Sequence, residues 1–393
     1  PHAGMHTLYI SPLKALAADI KRNLQTPVEE LGLDIRIEDR TGDTKQSARQ
    51  RQRRDPPHIL LTTPESLALL LSYEDAPHIF AGVQRVVVDE IHALAESKRG
   101  DQLMLCLSRL QTLAPGLTRT GLSATVDNPK ALANYLAPGI TEILHADPGP
   151  KADIRLLETE EEPPWAGTGG RYAARAVMEE IRKADTTLVF INTRATAELF
   201  FQELWAVNED NLPLALHHGS LAREAREKVE QAMVAGNLKA IVCTGSLDLG
   251  IDWGDVDLVI QIGAPKNIKR LVQRIGRAGH RYNTPSRALL VPANRFEVVE
   301  CRAALEAVNA GDLDRTVKND GPLDVLCQHI LLRACSGPFS EEDLFEEILN
   351  TGPYQTHTKP ILNQALEFCA TGGYALRAYD RWQRLIQRDG KWQ

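Results

Sequence analysis

Short apolar runs ending in polar turns recur along this chain, and the segments between them show helical spacing. Residues 6–11, 34–38, 59–62, 85–89 and 119–123 read as strands, and residues 13–24 and 103–113 as helices. The sharpest stretch is Arg85-Val86-Val87-Val88-Asp89-Glu90-Ile91-His92, where a β-branched run passes straight into two carboxylates and, two places on, a histidine. A strand buried on both faces reads as a continuous apolar run. Strands alternating with helices predict βαβ units and a parallel sheet. Right-handed crossovers then bring the polar strand ends to one edge of that sheet.

Residues 158–170 break the pattern: they are acidic, rich in Pro and Gly, and aperiodic, which is linker composition. A second alternating series follows, with strands at 187–191, 214–217, 240–243, 258–262 and 288–291 and helices at 195–207 and 223–235. From residue 323 the periodicity becomes helical. Residues 323–335 form one helix, the Ser340-Glu341-Glu342-Asp343 capping box opens a second through 349, and 359–370 make a third. Gly372-Gly373 then leads into Tyr374-Ala375-Leu376, and Arg388-Asp389-Gly390 has hairpin-turn chemistry. Three short helices and a hairpin resemble a winged-helix domain with its last wing strand clipped. The pattern predicts an α/β fold of two tandem parallel-sheet domains, 1–150 and 151–318, followed by this winged helix at 319–393.

A length of 393 residues suits two or three domains. A net charge of -7 excludes a uniformly basic surface but leaves room for a local basic groove. The six cysteines are scattered without a CxxC pair, so neither a zinc site nor a disulfide framework is expected, and a reducing cytosol fits best. No apolar run is long enough to span a bilayer. The chain opens Pro1-His2-Ala3 without an initiator Met, enters a strand almost at once, and stops at Trp392-Gln393 just after a turn. Both ends look cut.

Chemistry concentrates at the strand ends. A carboxylate beyond a buried strand can hold Mg²⁺, and its neighbour can orient or deprotonate a water; a solvated acidic turn is the plain alternative for Asp89-Glu90. Ser11-Pro12-Leu13-Lys14 offers a hydroxyl, a lysine and a helix start to a phosphate, or merely caps a helix. Thr41-Gly42-Asp43-Thr44, Thr62-Thr63-Pro64-Glu65-Ser66 and Ser123-Ala124-Thr125 each read alone as turn chemistry. In the second series, residues 190–194 end one strand and His217-His218-Gly219-Ser220 another. Paired histidines can bind metal, but no acidic or thiol ligand stands near them in sequence. In Gln273-Arg274-Ile275-Gly276-Arg277-Ala278-Gly279-His280-Arg281, three arginines spaced by small residues can aim guanidinium forks at a compact anion. The basic run Lys45, Arg49, Arg51, Arg53 and Arg54 reads as a solvated helix face that could also touch a nucleic-acid backbone.

In this order, the clusters resemble the motifs of superfamily 2 helicases of the DExH type, which have two RecA-like domains. Residues 11–16 look like motif Ia, 41–44 like Ib and 62–66 like Ic. Asp89-Glu90-Ile91-His92 looks like motif II and Ser123-Ala124-Thr125 like motif III. Residues 190–194, 244–252 and 273–281 look like motifs IV, V and VI. The phrases YISPLKALA, LLTTPESL, LGIDWGDVDLV and QRIGRAGH look most like the large helicase-related (Lhr) family. The run around RTGDT is similar to its bacterial branch of ligase-associated DNA damage response helicases.

The resemblance implies roles. Asp89 would hold Mg²⁺, and Glu90 would activate the water that attacks the γ-phosphate of ATP. His92, Ser123 and Thr125 would couple hydrolysis to domain closure. Gln273 would sense the γ-phosphate, while Arg277 and Arg281 would be the arginine fingers, Arg281 replacing a second arginine where His280 stands. Gly250 and Asp252 would meet the nucleotide, Asp252 at its ribose. Lys14, Thr44, Thr63, Thr193, His218 and Thr244 would face the nucleic-acid backbone. The Gly-rich loop ending in Gly-Lys-Thr, which cradles phosphates, is absent from the sequence and would lie just upstream of Pro1. The implied function is an ATP-dependent helicase moving 3′ to 5′ on single-stranded or tailed duplex DNA in repair, in the bacterial cytosol, with RNA–DNA hybrids as further substrates and repair factors as partners. An RNA-remodelling ATPase and a non-catalytic nucleic-acid-binding module are the alternatives.

Overall fold

The computed structural model describes residues 4–124, 126–139, 141–146, 149–167, 169–248, 256–278, 285–314, 321–373 and 384–393. They form two compact units, one comprising Pro1–Leu144 with Thr316–Gln393 and the other His145–Arg315.

The first unit opens with β1 (Thr7–Ile10), α1 (Lys14–Glu30), β2 (Ile37–Arg40), α2 (Gln46–Arg54), β3 (Ile59–Thr62), α3 (Pro64–Leu71) and α4 (Ala76–Phe80). It continues through β4 (Arg85–Val88), α5 (Ile91–Ala95), α6 (Lys98–Leu113), β5 (Thr118–Gly121) and α7 (Pro129–Leu136). The strands pair in parallel in the order β2-β3-β1-β4-β5, so their carboxyl ends share one edge. One face, carrying Leu8, Ile10, Leu60, Val86 and Val88, packs on α3 and α6. On the other face α1 covers Ile37 and Leu61 through Ala17. β5, at the end of the sheet, is largely exposed along its length.

Leu103, Met104, Leu105, Cys106, Leu107 and Leu110 of α6 are all essentially inaccessible to solvent. A helix that is apolar all round is buried on all sides. The second layer over it is the C-terminal segment: α13 (Leu323–Cys335), α14 (Glu341–Leu349), α15 (Lys359–Thr371), β12 (Gln387–Arg388) and β13 (Lys391–Trp392), numbered after the second unit's elements. Leu105 belongs to the core that this segment builds with Leu326, Ile330, Leu344, Ile348 and Leu366. Burying each such side chain contributes about 1.5–3 kcal/mol. A polar knot sits in the same seam: Ser108 Oγ donates to the Glu347 carbonyl at 2.6 Å, and the Glu347 carboxylate meets His329 Nε2 at 2.7 Å. As expected, Ser340 Oγ accepts from Asp343 N at 3.1 Å to open α14. Positive φ at Asp389 and Gly390 makes the turn between β12 and β13. Tyr374, Ala375 and Leu376 lie outside the described residues.

The second unit contains β6 (Asp153–Leu156), α8 (Ala174–Lys183), β7 (Thr187–Ile191), α9 (Arg194–Ala206), β8 (Leu214–His217) and α10 (Arg223–Val234). β9 (Ala240–Cys243), β10 (Leu258–Ile262), α11 (Ile268–Ile275), β11 (Arg287–Val291) and α12 (Arg295–Ala310) complete it. Six parallel strands run in the order β6-β11-β10-β7-β9-β8. β7, β9 and β10 are buried at every residue, as their apolar runs predict. β6 is an addition to the expected strands: its Asp-Ile-Arg-Leu alternation on a sheet edge is too short to stand out from a loop. No described helix is long and apolar enough to cross a membrane.

Candidate functional site

In the first unit the chain leaves β4 with the ladder intact, Asp89 N donating to Ile10 O at 2.9 Å. Asp89 Oδ1 then accepts from Glu90 N at 2.9 Å. Glu90 turns into the left-handed region, with φ 46° and ψ 43°. Such a conformation costs a non-glycine residue about 1–3 kcal/mol and clusters at functional sites. The turn starts α5 at once, Ile91 N binding the Leu122 carbonyl beyond β5 at 3.0 Å. Glu90 Oε2 lies 3.3 Å from His92 Nε2, and His92 Nδ1 lies 2.8 Å from Ser123 Oγ. Glu90, His92 and Ser123 therefore form one polar relay from β4 to β5.

Burial raises the Asp89 carboxyl above the ordinary aspartate range, against the hydrogen bonds from Tyr9 and the Glu90 amide that favour its charged form. Burial and the neighbouring Asp89 raise the Tyr9 phenol in turn, so it stays a donor. Tyr9 was not among the expected site residues, because an aromatic in a strand reads first as core.

The turns after β1, β2 and β3 meet at a cavity of about 300 Å³ lined by Lys14, Arg40, Thr41, Gly42, Thr63 and Tyr73. Lys14 is exposed and pairs with Asp43 at 2.9 Å. Thr44 Oγ1 caps its own turn, accepting from Thr41 N at 2.9 Å. Thr63 is buried and bonds Ser66 Oγ at 3.2 Å. The basic run of α2 is mostly engaged within the protein: Arg49 donates to the Thr41 and Gly42 carbonyls, Arg51 to Glu38, and Arg53 to Asp75 while lying over the Tyr73 ring. Its plain reading, a helix face bonded to its neighbours, accounts for these three arginines.

In the second unit Thr193 caps α9, accepting from Thr196 N at 3.3 Å, and is exposed. His218 is buried, its Nε2 3.1 Å from Glu198 Oε1, so no imidazole face is open to a strand at this position. His217 bonds Ser246 Oγ at 2.9 Å and Glu230 at 3.1 Å. Its ring ties β8 to the turn after β9, where Thr244 is half-buried. Among the described residues no group of three or more His, Cys, Asp or Glu could hold a metal ion.

Sequence reading missed the hub of this unit, Asp248. It is buried, accepts from Arg270 Nε and from Arg274 Nε at 2.7 Å, and its backbone carbonyl accepts from Arg277 at 3.1 Å. Arg274 is thus no anion ligand: it is 3% exposed, lies over the Phe190 ring at 4.7 Å and donates to Gln261 at 2.5 Å. The expectation of three arginines projecting together is corrected for Arg274, which forms a structural clamp beside the half-exposed Arg277, because Asp248, 26 residues upstream, draws it inward. Gln273 sits half-buried on α11. Arg281, Thr125, Gly250 and Asp252 lie outside the described residues.

Two parallel sheets, one ending in an acid pair and the other in an arginine-bearing turn, define a helicase core. The chain matches the DEAD/DEAH box helicase family over residues 1–132 and the helicase conserved C-terminal domain over 172–282. Residues 306–393 match the winged helix domain of large helicase-related protein, and the chain belongs to the large helicase-related (Lhr) family. It is 36% identical to ATP-dependent helicase Lhr-Core protein 2 of Thermococcus barophilus, over 94% of this chain and 45% of that protein. It is 32% identical to the Lhr helicase and probable uracil glycosylase of Mycolicibacterium smegmatis, over 93% of this chain and 27% of that one. The structure of Mycobacterium smegmatis helicase Lhr bound to ssDNA and AMP-PNP superposes with a TM-score of 0.86 at 33% identity, covering 99% of this chain and 52% of the other. The chain spans between 27% and 52% of the length of these relatives.

Proposed function

We propose that the protein containing this chain is an ATP-hydrolysing DNA helicase that translocates 3′ to 5′ on single-stranded DNA during repair. The relay Glu90–His92–Ser123, built beside Asp89 at a single sheet edge, is the observation that carries this reading. Glu90 orients and deprotonates the attacking water, and His92 hands the change in its charge to Ser123 on the neighbouring strand end. Arg277 contributes the arginine finger, its guanidinium held by the Asp248 backbone carbonyl. Lys14, Thr44, Thr193 and Thr244 contact the strand backbone, with Thr63 and His218 supporting the turns from beneath. Arg281, Thr125, Gly250 and Asp252 complete the set that the family resemblance implies.

Mg²⁺ fits the donor chemistry. Asp89 is a hard oxygen donor whose carboxyl is raised by burial. With no three-ligand cluster among the described residues, phosphates and water would fill the remaining positions, the usual manner of Mg²⁺. Bound there with the nucleotide, it would neutralise phosphate charge.

ATPase activity of the full-length protein, with and without single-stranded DNA, tests the reading: stimulation is expected, and a rate indifferent to DNA overturns it. Glu90→Gln lowers the stimulated rate by about 10²–10⁴-fold with nucleotide affinity retained. The 393 residues alone contain no Gly-Lys-Ser or Gly-Lys-Thr run. These residues by themselves are therefore expected to turn over ATP slowly or not at all, which the same assay checks. Unwinding from DNA and from RNA loading strands separates the helicase from an RNA-remodelling enzyme, through the 2′-OH.

A further inference from the structure

Arg99 stands on the first turn of α6, and its guanidinium reaches two separate turns at once. Nε and one terminal nitrogen fork onto the Glu65 carboxylate, the latter at 2.9 Å. The other terminal nitrogen donates to the Pro12 carbonyl at 2.6 Å. Pro12 precedes the helix that carries Lys14, and Glu65 lies in the first turn of the helix that follows Thr63. Both turns belong to the nucleic-acid side of the unit, and Arg99 bridges them from a third element.

That element is rigidly joined to the acid pair. α5 begins directly after Glu90, and Ser97 closes the corner into α6, its Oγ donating to Leu94 O at 2.9 Å and accepting from Gly100 N. At Gly100 a Cβ would stand 2.0 Å from the Leu94 carbonyl oxygen and 2.7 Å from the Tyr135 hydroxyl, so only glycine permits this corner to close. The base of Arg99 is thereby fixed with respect to Glu90 and His92. Burial alone would raise the Glu65 carboxyl, but the Arg99 hydrogen bond, with its own amide and Thr63, holds it below the usual range.

We propose that Arg99 is a positioning residue that sets the spacing of the Pro12 and Glu65 turns, so that the strand grip follows the state of the acid-pair helix. A planar fork with five donors can serve two acceptor groups on different turns, whereas a lysine ammonium acts as a point charge. The proposal deepens the nucleic-acid reading given above and rests on it for the identity of the ligand.

The test uses the full-length protein with Arg99→Ala, Arg99→Lys, Glu65→Gln and the Arg99→Ala/Glu65→Gln double variant. Affinity for a fluorescent oligo(dT), affinity for an ATP analogue, and amide exchange over residues 11–16 and 62–67 are read. Arg99→Ala weakens oligo(dT) binding about tenfold, Arg99→Lys nearly as much, and both speed exchange in the two turns while nucleotide affinity holds. The double variant binds no more weakly than Arg99→Ala, as expected for groups in one network. Wild-type oligo(dT) affinity in Arg99→Ala, or faster exchange spread over α6 and the C-terminal helices, overturns the proposal. If the wild-type protein itself fails to bind oligo(dT), the helicase reading falls. Exchange then decides for Arg99 alone: faster exchange confined to the two turns supports it, and unchanged exchange overturns it.

Discussion

Asp89 and Glu90 illustrate how a site is held ready at a local cost. Glu90 is kept in a left-handed conformation by the Ile91 amide bond to Leu122 and by its contact with His92. Asp89 is kept ionisable in a half-buried place, where burial raises its carboxyl. A carboxyl raised in the folded state binds its proton more tightly there than in the unfolded chain. Stability then falls as pH climbs from the ordinary aspartate range through the raised folded value, and the penalty persists at neutral pH. Without Mg²⁺ and nucleotide, Asp89→Asn is therefore more heat-stable than wild type near pH 7, and the gain shrinks as pH falls through the raised folded value and is lost below the ordinary aspartate value of about 3.9. Thermal melts of the two proteins across that range, with chelator present, check it; a gain that grows on acidification contradicts the assignment. On the function proposed above, the same substitution should also cost activity, since it removes the carboxylate that would hold Mg²⁺.

Whole elements in this fold are joined by buried charge as well as by apolar contact. Glu347 on α14 is 3% exposed at its side chain; it meets His329 on α13 at 2.7 Å and Arg109 on α6 at 3.8 Å, with Arg333 at the same 3.8 Å. Removing the acid leaves these groups without their common carboxylate. Glu347→Ala should lower the stability of the first unit by about 3–5 kcal/mol, read by urea unfolding, with Glu347→Gln milder because it retains an acceptor for His329. None of this was legible in the chain, where Glu347 is one acid among several in an amphipathic helix. What was legible is local. β3, β7, β8, β9, β10, α13 and α14 occupy the expected residues, since a run of buried apolar side chains or a capping serine acts over a few positions. The acid pair was visible for the same reason, as a strand passing into its turn. Asp248, Tyr9 and Arg99 were not, because their partners come from elements 22 to 87 positions away in the chain. β2 lies later than its alternation suggested, at Ile37–Arg40, because the ladder to β3 pairs Ile37 with Ile59.

At the scale of the molecule, the first unit is closed by chain from both sides of the second. Residues before 145 supply the sheet and α6, and residues after 315 supply the helices that cover α6. The covering is close: at Gly352 a Cβ would lie 2.5 Å from the Tyr135 Cα on α7, and Lys98 at the start of α6 pairs with Asp324 on α13 at 2.6 Å. Leu105 faces wholly into the C-terminal core. Ending the chain at residue 314 would expose that leucine and strip Ser108 and Arg109 of their Glu347 partners. The apolar loss alone is about 1.5–3 kcal/mol for Leu105. The second unit has its own apolar clusters, built around Phe190, Phe200 and Ile260. Amide exchange on the shortened chain should therefore accelerate through α6, α7 and the first sheet while β7, β9 and β10 keep their protection. Equal acceleration in both units would mean that the C-terminal helices stabilise the molecule generally. Acceleration confined to the first identifies them as the missing layer of the acid-pair unit, so that the winged helix and the acid pair move as one piece.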